Sequence, residues 1–569
     1  MNKLRSMEDI RDLRESLRKS QEKERISIIV CGGTGCETFG GHDIYDTFKD
    51  IVKERGIEDK LYLKKAGCQG FCERGPLVVI QPANIFYQKV KKSDVQKIID
   101  ETVIKEQVLE SLLYTDPQTR KKISNRSEIP FYKKQLPLVL RYNGFIEPTS
   151  IYDYIAVGGY AALEKVLNEM DPSQVVQEIK ISGLRGRGGA GFPTGKKWEV
   201  VRNVSGDMKY LICNGDEGDP GAFMDRAILE GNPHQVLEGM IIGAYAMGCK
   251  KGYVYIRAEY PMAVEYVQKA LDQANEIGIL GQNILGKALN LEVEIKKGAG
   301  AFVCGEETAL IASIEGRRGM PRAKPPYPAT FGLWGKPTCI NNVETLANVP
   351  IIIEKGAHWF SKIGTENSKG TKVFALTGNI NNTGLVEVPM GTTLREIIFD
   401  IGGGVTKGRK FKAVQTGGPS GGCIPEDFLD TPIDYESLQK VGSIMGSGGL
   451  VVVDDKTSMV EFARYFVSFS QNESCGKCVP CRIGTKRMLD ILDRILSGNG
   501  TESDLNLLCE LGNTVKETSL CGLGQNAPNP VLSTLKYFRK EYEALINKSL
   551  NEGKSKEDKE KITENALSK

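Results

Sequence analysis

Apolar and polar positions alternate along this chain in a way that predicts a multidomain α/β protein. Near the N-terminus, the β-branched runs ISIIV and PLVVI each read as a strand, and IYDTFKDIVKERG between them reads as a helix. Residues 1–25, MNKLRSMEDIRDLRESLRKSQEKER, are highly charged and predict a helical lead-in. A first α/β domain is therefore expected over residues 26–105.

The rest of the chain divides into segments of different periodicity. TVIKEQVLESLLYTD predicts a helical linker at 106–125, after which a large domain is expected over 126–365. TKVFALTGNI, GLVEVPMGTTLREIIFDIGGG and KFKAVQTGGPSGG predict a strand, a strand with a helix, and a strand, in a small glycine-rich domain over 366–455.

A helical domain is expected over 456–550, beginning near Ser458. Its apolar residues repeat at i, i+3, i+4, a stripe that we expect to be core rather than interface: Met488, Ile491, Leu492, Ile495 and Leu496. The last segment, 551–569, is NEGKSKEDKEKITENALSK, and its charge predicts a disordered tail.

Composition narrows the function classes. The chain has 569 residues, too many for one core, which suggests three or four domains of roughly 150 residues each. Its 75 Lys and Arg against 72 Asp and Glu give a net charge of +3 with no basic block, so nucleic acid is not expected as a partner. No apolar run approaches the roughly 20 residues of a membrane span, and the lead-in lacks the core of a signal peptide. We therefore expect a cytoplasmic protein without direct membrane insertion, in which eight of the 14 cysteines have cluster-like spacings and serve metals rather than disulfides. The other six lack a shared metal-ligand spacing and are expected to be core residues: Cys213, Cys249, Cys304, Cys339, Cys423 and Cys509.

Four cysteines near the end of the chain have the spacing of ligands to one iron–sulfur cluster. Cys475, Cys478 and Cys481 form a C-x2-C-x2-C hook, and Cys521 follows at a distance. Three thiolates in one hook with a remote fourth suit a 4Fe–4S cluster, whereas structural zinc sites usually pair two separate hooks. Zinc is the alternative, and Cys509 could compete as the fourth ligand.

A second set lies near the N-terminus, with Cys31 and Cys36 after the first strand and Cys68 and Cys72 before the second. Two paired hooks on loops at strand ends suggest another cluster. The C-x4-C and C-x3-C spacing is not that of plant-type ferredoxins, so a 2Fe–2S assignment also requires a family resemblance. Zinc or a disulfide pair stays open at this point.

A glycine-rich loop follows the helical segment SQVVQEIKISGL. In GLRGRGGAGFPTGKKW, Gly186, Gly188 and Gly191 fit G-x-G-x-x-G, but a dinucleotide fingerprint should follow a strand, so an ordinary Rossmann unit is not supported. Glycines allow close approach of a phosphate or flavin, and nearby basic residues add positive charge: Arg185, Arg187, Lys196 and Lys197. A merely flexible loop is the alternative.

Three polar motifs follow the loop. They contain Asn214, Asp216, Glu217 and Asp219 in NGDEGDPGAFMDR, Glu306 and Glu307 in GAGAFVCGEETAL, and Asn341 and Asn342 in KPTCINNVETL. Such side chains can pair with the donors and acceptors of a flavin, whose own chemistry carries hydride transfer. Solvated acidic loops are the alternative for each motif taken alone.

These motifs, with GRRGMPRAKPPYPA and ESCGKCVPCRIGTKRM, give the chain over about residues 120–545 a clear resemblance to a known family. It resembles the NADH-oxidising flavoprotein subunit of respiratory complex I and of soluble NAD-dependent hydrogenases and formate dehydrogenases. The resemblance implies a Rossmann-like domain for FMN and NADH, a small β-grasp domain, and a helical 4Fe–4S domain. The N-terminal domain resembles the thioredoxin-like 2Fe–2S ferredoxins.

Residue roles are carried over from this family. Those implied around FMN are Gly186, Arg187, Gly188, Gly189, Gly191, Lys197, Asn214, Asp216, Phe302, Gly305, Glu306, Asn341 and Asn342. Those implied to face NADH are Phe192, Glu217, Glu307, Lys324 and Tyr327. Glu217 and Asp219 are the predicted catalytic carboxylates. The metal ligands implied are Cys31, Cys36, Cys68 and Cys72 for 2Fe–2S, and Cys475, Cys478, Cys481 and Cys521 for 4Fe–4S.

Departures from the family point to a subgroup. Phe302 stands where many relatives have tyrosine, and Asp219 where complex I proteins usually have glutamate. Together with the fused N-terminal domain, these features resemble the β subunit of electron-bifurcating hydrogenases and formate dehydrogenases. The implied partners are a small thioredoxin-like 2Fe–2S subunit, a catalytic hydrogenase or formate dehydrogenase-type subunit, and ferredoxin. A complex I subunit and a non-catalytic cluster-bearing scaffold are the alternatives.

Overall fold

The computed structural model describes residues 3–21 and 26–547. The lead-in forms helix α1 (Met7–Gln21), as predicted, while residues 22–25 and the predicted disordered tail at 551–569 lie outside the described residues. Helix α1 is tied to the large domain, because Arg14 forms an ion pair with Glu164 at 3.2 Å.

The first domain is built on a four-stranded sheet with strand order β2-β1-β3-β4. Its strands are β1 (Ile26–Cys31), β2 (Leu61–Ala66), β3 (Val78–Gln81) and β4 (Ile85–Tyr87), and its helices are α2 (Thr34–Thr38), α3 (Gly41–Glu54) and α4 (Val95–Lys97), the last continuing as a π-helix over Ile98–Ile104. The two predicted strands and the helix between them are confirmed. The sequence reading missed β2, whose KK pair weakens the apolar pattern.

The predicted helical linker is wrong. After residue 104 the chain forms a short 3-10 turn at Glu110–Leu112 and then β5 (Tyr114–Thr115), which pairs with β6 (Lys122–Ile123). The Gln88 backbone N–H donates to the Leu112 carbonyl at 2.9 Å, and Leu113 bridges to Tyr87. Hydrogen bonds to the edge of the first sheet therefore take the place of helical ones, and the linker is part of the fold.

The large domain contains a parallel sheet with strand order β10-β7-β8-β9. The strands are β7 (Tyr210–Gly215), β8 (Lys251–Arg257), β9 (Glu292–Gly298) and β10 (Thr338–Asn342). The helices are α5 (Pro130–Lys133), α6 (Ile151–Ala156), α7 (Ala161–Glu169), α8 (Pro172–Ser182), α9 (Thr194–Asn203), α10 (Met224–Gly231), α11 (Pro233–Met247), α12 (Pro261–Ile277), α13 (Glu307–Ile314), α14 (Val343–Lys355) and α15 (Ala357–Phe360). The strand order reverses direction between β7 and β10, and open parallel sheets bind ligands at such a point.

The small domain is a five-stranded sheet with order β12-β11-β15-β13-β14. Its elements are β11 (Thr371–Gly378), β12 (Gly384–Pro389), a π-helix at Glu396–Ile401, β13 (Phe411–Thr416), β14 (Cys423–Pro425), α16 (Tyr435–Lys440) and β15 (Gly449–Asp454). The predicted strand, strand with helix, and strand are confirmed. β14 and β15 complete the sheet.

The helical domain begins at Ser458, whose hydroxyl caps α17. Its helices are α17 (Met459–Asn472), α18 (Thr485–Leu496), α19 (Glu502–Thr518), α20 (Gly522–Asn526) and α21 (529–547), with a π-helix at Pro480–Gly484 before α18. Met488, Ile491, Leu492 and Ile495 are buried and Leu496 packs beside them. The predicted apolar stripe is thus confirmed as core.

The N-terminal domain is docked against both of its neighbours. Thr34 donates to Glu230 of α10 at 2.6 Å, and the Leu385 N–H of β12 donates to the Gly70 carbonyl at 2.7 Å. Lys64 and Asp153 form an ion pair at 2.6 Å in which both side chains are largely buried. Among the described residues, no helix has the length and apolar character needed to span a membrane.

Candidate active site

The carboxyl ends of β7 and β10 lie side by side, with Asn214 directly opposite Asn342. The glycine-rich loop joins α8 to α9 and reaches this edge, since a side chain at Gly188 would lie 3.1 Å from the Asn342 side chain. The loop thus follows a helix, as predicted, and lies at the switch point of the sheet. We call the space between this loop, the β7 end and residues 302–307 the crevice.

The loop is held in place by its own backbone and by the small domain. The Gly186 N–H donates to the Phe192 carbonyl at 2.9 Å, and the Tyr435 hydroxyl donates to the Gly186 carbonyl at 2.7 Å. At Gly191, φ is 63° and a Cβ atom would meet the Tyr435 ring at 2.7 Å, so both conformation and space require glycine. These contacts disfavour the alternative of a merely flexible loop.

The two basic side chains predicted at the FMN behave differently. The Arg187 side chain is fully buried and donates to the carbonyls of Thr371 at 3.1 Å and Lys369 at 2.6 Å. These carbonyls hold its guanidinium against the start of the small domain, and the predicted place of Arg187 beside the FMN stays a prediction. Lys197 lies at the crevice, where its ammonium donates hydrogen bonds to the Glu307 carboxylate at 2.5 Å and to the Ile340 carbonyl at 3.0 Å.

Asp216 has the least satisfied side chain at the end of β7. Both of its carboxylate oxygens are shielded from solvent and have no hydrogen-bond partner within the described chain. Burial raises the pKa of Asp216 to about 7, with nearby Arg257 opposing the shift. A buried acceptor pair without donors is costly unless a ligand supplies them. Asp216 therefore fits a polyhydroxylated ligand such as the ribityl chain of FMN.

The neighbouring predicted residues line the same end of the sheet. The Asn214 amide donates to the Gly305 carbonyl at 3.0 Å, while its oxygen accepts from the Asp216 N–H at 3.0 Å. A side chain at Gly218 would meet the Phe302 ring at 2.8 Å. The β7 end and the Phe302–Gly305 turn are thus in direct contact and form one wall of the crevice.

The two predicted catalytic carboxylates are engaged by protein groups. Glu217 is buried and accepts from the N–H groups of Asp225 at 3.0 Å and Arg226 at 3.1 Å, at the start of α10. Asp219 accepts from the Ser447 hydroxyl at 2.6 Å, and burial raises the pKa of Asp219 to about 6. Their catalytic roles stay predictions.

Glu306, Glu307 and Lys324 form a charged group at the start of α13. Glu306 caps α13 through the Ala309 N–H at 3.0 Å and pairs with Lys324 at 2.9 Å. Although burial acts against it, hydrogen bonds from Thr308 and Lys324 lower the pKa of Glu306. The two aromatic rings predicted to face NADH are open to solvent, since Phe192 is 52% exposed and Tyr327 is 59% exposed. Rings that remain open to solvent are available to stack on a nucleotide.

Asn341 and Asn342 have structural partners. The Asn341 oxygen accepts from the Trp198 indole N–H at 2.9 Å. Asn342 caps α14 through the Glu344 N–H at 2.9 Å and donates to Asp225. Of the two, Asn342 lies against the glycine loop. Its side-chain amide is already hydrogen-bonded to protein groups, so its contact with the FMN phosphate stays a prediction.

All four C-terminal cysteines line one small cavity: Cys475, Cys478, Cys481 and Cys521. Apolar side chains such as Val303 and Leu520 complete its lining. Cys509 does not belong to the cavity, because it packs with the apolar core of the helical domain. The arrangement fits a 4Fe–4S cluster held by the predicted ligands, and Cys509 as a competing ligand is disfavoured.

The cluster cavity and the crevice share a wall. The Phe302 N–H donates to the Glu473 carboxylate at 2.8 Å, and the Phe302 ring contacts Phe469 edge-on at 5.4 Å between centroids. Val303 follows Phe302 in the chain and Ser474 follows Glu473, and both line the cluster cavity. One residue layer therefore separates the predicted flavin position from the predicted cluster position.

The N-terminal cysteines also converge. Cys31 ends β1, Cys36 lies in α2, and Cys68 and Cys72 follow β2. The pKa of Cys31 lies well below its ordinary value because the thiols of Cys36 and Cys68 hydrogen-bond to its sulfur. Cys68 contacts Cys72 in turn. Four sulfurs with one readily ionised thiol fit a thiolate-ligated cluster.

The remaining cysteines support no further metal site. Cys213, Cys249, Cys304, Cys339 and Cys423 are buried, and the first four lie within apolar clusters around the parallel sheet. This agrees with the expectation that they are core residues.

Several contacts of the site were missed by the sequence reading. Glu473, Ser447 and Tyr435 come from the helical and small domains, far along the chain from the motifs they contact. Arg257 donates to the Glu217 carbonyl at 2.6 Å from the end of β8. No local pattern marks these residues, since their roles arise from domain packing. Only the position of Arg257 at the end of a buried strand could have indicated its role.

Comparisons with known families cover all four domains. Models of the thioredoxin-like [2Fe-2S] ferredoxin and the Nuo51 FMN-binding domain match residues 17–103 and 179–351. An SLBB domain model matches 373–424, and the NADH-ubiquinone oxidoreductase-F iron-sulfur binding region matches 461–545. The predicted fold class and the cofactors FMN, 2Fe–2S and 4Fe–4S are thereby confirmed.

Individual relatives are similar over most of the chain. The NADP-reducing hydrogenase subunit HndC of Solidesulfovibrio fructosivorans is 60% identical over 415 residues, which are 73% of this chain and 84% of HndC. The F 2 subunit of the NADH-quinone oxidoreductase of Rhizobium meliloti is 47% identical over 72% of this chain and 97% of its own length. A chain of the NAD+-reducing [NiFe]-hydrogenase in the H2-reduced state is 30% identical, with a TM-score of 0.64, and the match covers 94% of this chain and 87% of that one. The chain therefore belongs to the family of NADH-oxidising subunits that bind FMN and iron–sulfur clusters, which includes HndC and the F subunits of NADH-quinone oxidoreductases.

Proposed function

We propose that the chain is the NAD(H)-reactive subunit of an assembly of hydrogenase or formate dehydrogenase type. In this proposal the assembly bifurcates electrons, and ferredoxin is one of the two electron carriers involved. The observation that carries the hydrogenase-type context is the similarity to hydrogenase chains. HndC is 60% identical over 73% of this chain, whereas the R. meliloti F 2 subunit is 47% identical over 72% of it. The structural match to the NAD+-reducing hydrogenase chain covers 94% of this chain, so the N-terminal domain also has a counterpart there.

Within this proposal, the crevice binds both flavin and nucleotide. When bound, FMN supplies the conversion between hydride transfer and single-electron transfer. Asp216 would accept hydrogen bonds from the FMN ribityl chain, and Asn214 fixes the turn at Gly305 against it. Lys197 and the glycine loop would hold the phosphate end. Phe192 and Tyr327 would stack on the nucleotide, with Glu307 and Lys324 beside it.

The wall formed by Phe302 and Glu473 bears on the electron path. It keeps the crevice and the cluster cavity within one residue layer of each other. Phe302 has no hydroxyl group, so at this position the wall presents an apolar ring where many relatives have a tyrosine. In the proposed path, electrons leave the crevice through the Cys475–Cys521 cluster, and the Cys31–Cys72 cluster serves as a second branch.

The partners proposed are a small thioredoxin-like 2Fe–2S subunit, a catalytic subunit of hydrogenase or formate dehydrogenase type, and ferredoxin, in the cytoplasm. Anaerobic stoichiometric reduction of the purified native complex tests the proposal, with NADH and NADPH compared because HndC is named as NADP-reducing. We expect flavin bleaching followed by EPR signals of both clusters. Ferredoxin reduction only when a second, higher-potential acceptor is present would support bifurcation. Ferredoxin reduction without that acceptor would contradict it, and recovery of the activity with membranes and quinone would favour the complex I alternative.

Replacing Phe192 with alanine should weaken nucleotide binding without unfolding the protein. The ring is 52% exposed, so its removal costs little core packing, while loss of a stacking contact should raise the KM for NADH by about tenfold. Steady-state dye reduction measures KM and kcat, and thermal unfolding checks the fold. Trp359→Ala is the control, because Trp359 is 39% exposed on α15. An unchanged KM would exclude Phe192 from the nucleotide site.

A further inference from the structure

A second cavity, of about 360 Å³, lies beside the N-terminal cluster ligands and outside the crevice. It is formed where four parts of the chain meet: the Cys68–Gly70 loop, Asn84, the segment 126–145 and Leu385 of β12. Its volume falls within the range of about 300–1,000 Å³ found for small-molecule sites. Neither the flavin nor either cluster requires it.

Buried polar atoms without partners line this cavity. The Gln69 side chain is 4% exposed, and neither its amide nitrogen nor its oxygen has a hydrogen-bond partner. The same is true of the Asn143 oxygen, on a side chain that is also 4% exposed, and of one terminal nitrogen of Arg126, which is 9% exposed. Buried polar groups are nearly always paired, so three such side chains around one cavity indicate a ligand.

The charge of the lining specifies the kind of ligand. Arg126, Lys133 and Arg141 contribute positive charge, and within the described chain no acidic side chain lines the cavity. Arg141 is already paired with Glu354 at 2.8 Å, which leaves Arg126 and Lys133 as the main cations. The Arg126 guanidinium is fixed between the rings of Tyr132 at 4.6 Å and Phe145 at 4.7 Å. A guanidinium held rigidly by two rings is pre-organised for an oxyanion.

We propose that this cavity binds a small organic oxyanion, whose phosphate or carboxylate group is held by Arg126 and Lys133 and whose body pairs with the Gln69 and Asn143 amides. Because Cys68 also lines the cavity, the bound negative charge lies next to the N-terminal cluster. The bound negative charge disfavours the addition of an electron to that cluster and so lowers its reduction potential. The ligand would thereby regulate how far this cluster accepts electrons.

The test is equilibrium binding to the oxidised, fully loaded complex, with saturating NAD+ present to block the crevice and ionic strength held constant. The probes are AMP, inorganic phosphate, adenosine and succinate. Saturable binding of AMP and phosphate without adenosine assigns a phosphate ligand, and binding of succinate alone assigns a carboxylate. No saturable binding of any probe up to about 10 mM would overturn the proposal. The assay needs no electron transfer, and the variants at Arg126 and Lys133 assign the binding to this cavity rather than to the crevice, so failure of this proposal and failure of the proposed function are distinguishable.

Matched variants locate the binding. We expect Arg126→Gln to weaken it at least about tenfold, and Lys133→Gln, at an exposed residue with little risk to folding, about threefold. Lys134→Gln is the control, because Lys134 pairs with Asp400 at 2.7 Å and does not line the cavity. Binding that Arg126→Gln and Lys133→Gln both leave unchanged would place the ligand elsewhere and overturn the proposal. EPR-monitored titration should give a lower potential of the 2Fe–2S cluster with the probe bound, and an unchanged potential would exclude the coupling.

Discussion

Replacing Cys521 with alanine is expected to abolish the C-terminal 4Fe–4S cluster while leaving reduction of the flavin by NADH intact. Cys521 is the only one of the four cavity cysteines outside the C-x2-C-x2-C hook, and it closes the cavity from the start of α20. Loss of an outer-shell partner of a metal site typically costs about 10–100-fold, and loss of a direct ligand should exceed that range. Electron delivery beyond the flavin should therefore fall by more than about 100-fold.

EPR of the NADH-reduced complex and iron analysis measure the cluster, and stopped-flow absorbance measures flavin bleaching. Cys509→Ala is the matched control, since Cys509 packs in the core of the helical domain and does not line the cavity. A Cys521→Ala protein with an unaltered 4Fe–4S signal would overturn the ligand assignment. Loss of that signal in Cys509→Ala alone would identify Cys509 as the fourth ligand.

The sequence was most informative where chemistry is concentrated in short motifs. The cysteine hooks place their thiols around one cavity at the C-terminus and one cluster of sulfurs at the N-terminus, as the spacing indicated. The helix before the glycine loop was also read correctly, and it distinguished this loop from a dinucleotide fingerprint. Local pattern suffices in these cases because neighbouring residues in the chain act together.

The sequence was least informative where roles are set by contacts between domains. Arg187 has the residue type and position of an FMN ligand, yet the carbonyls of Lys369 and Thr371 hold its guanidinium. Residues 106–125 have helical periodicity, yet hydrogen bonds to the edge of the first sheet and the pairing of β5 with β6 replace a helix there. Both outcomes depend on backbone groups of other segments, which no local pattern contains.

The same argument applies to the wall between crevice and cluster. Phe302 is in a motif that identifies the flavin site, but Glu473, which holds its backbone, precedes the cysteine hook of another domain. The helical domain thus contributes to the predicted flavin site as well as to the predicted cluster site. Changes at Glu473 are for this reason expected to affect both cofactors together.

Replacing Asp216 with asparagine should weaken FMN binding by about 10–100-fold. Its two carboxylate oxygens are buried without partners in the described chain, so hydrogen bonds from FMN would satisfy them. Hydrogen bonds to a charged group are each worth about 1.5–3 kcal/mol, which corresponds to that loss of affinity. Asp207→Asn is the control, because Asp207 is exposed and pairs with Lys336 on the surface. Fluorescence titration of the FMN-depleted complex with FMN measures both dissociation constants.

The same carboxyl group should make the affinity for FMN depend on pH. Burial raises the pKa of Asp216 to about 7 before the flavin binds, so the carboxyl is mostly protonated at pH 6 and mostly ionised at pH 8. If FMN hydroxyls donate to the ionised form, the wild-type affinity should be roughly tenfold weaker at pH 6 than at pH 8. The FMN phosphate itself titrates near pH 6, but it does so equally in the Asp216→Asn protein, whose profile therefore isolates the carboxyl. Identical pH profiles for wild type and Asp216→Asn would show that the Asp216 carboxylate is not the acceptor, whereas the expected difference would identify it as the group that selects the ribityl chain.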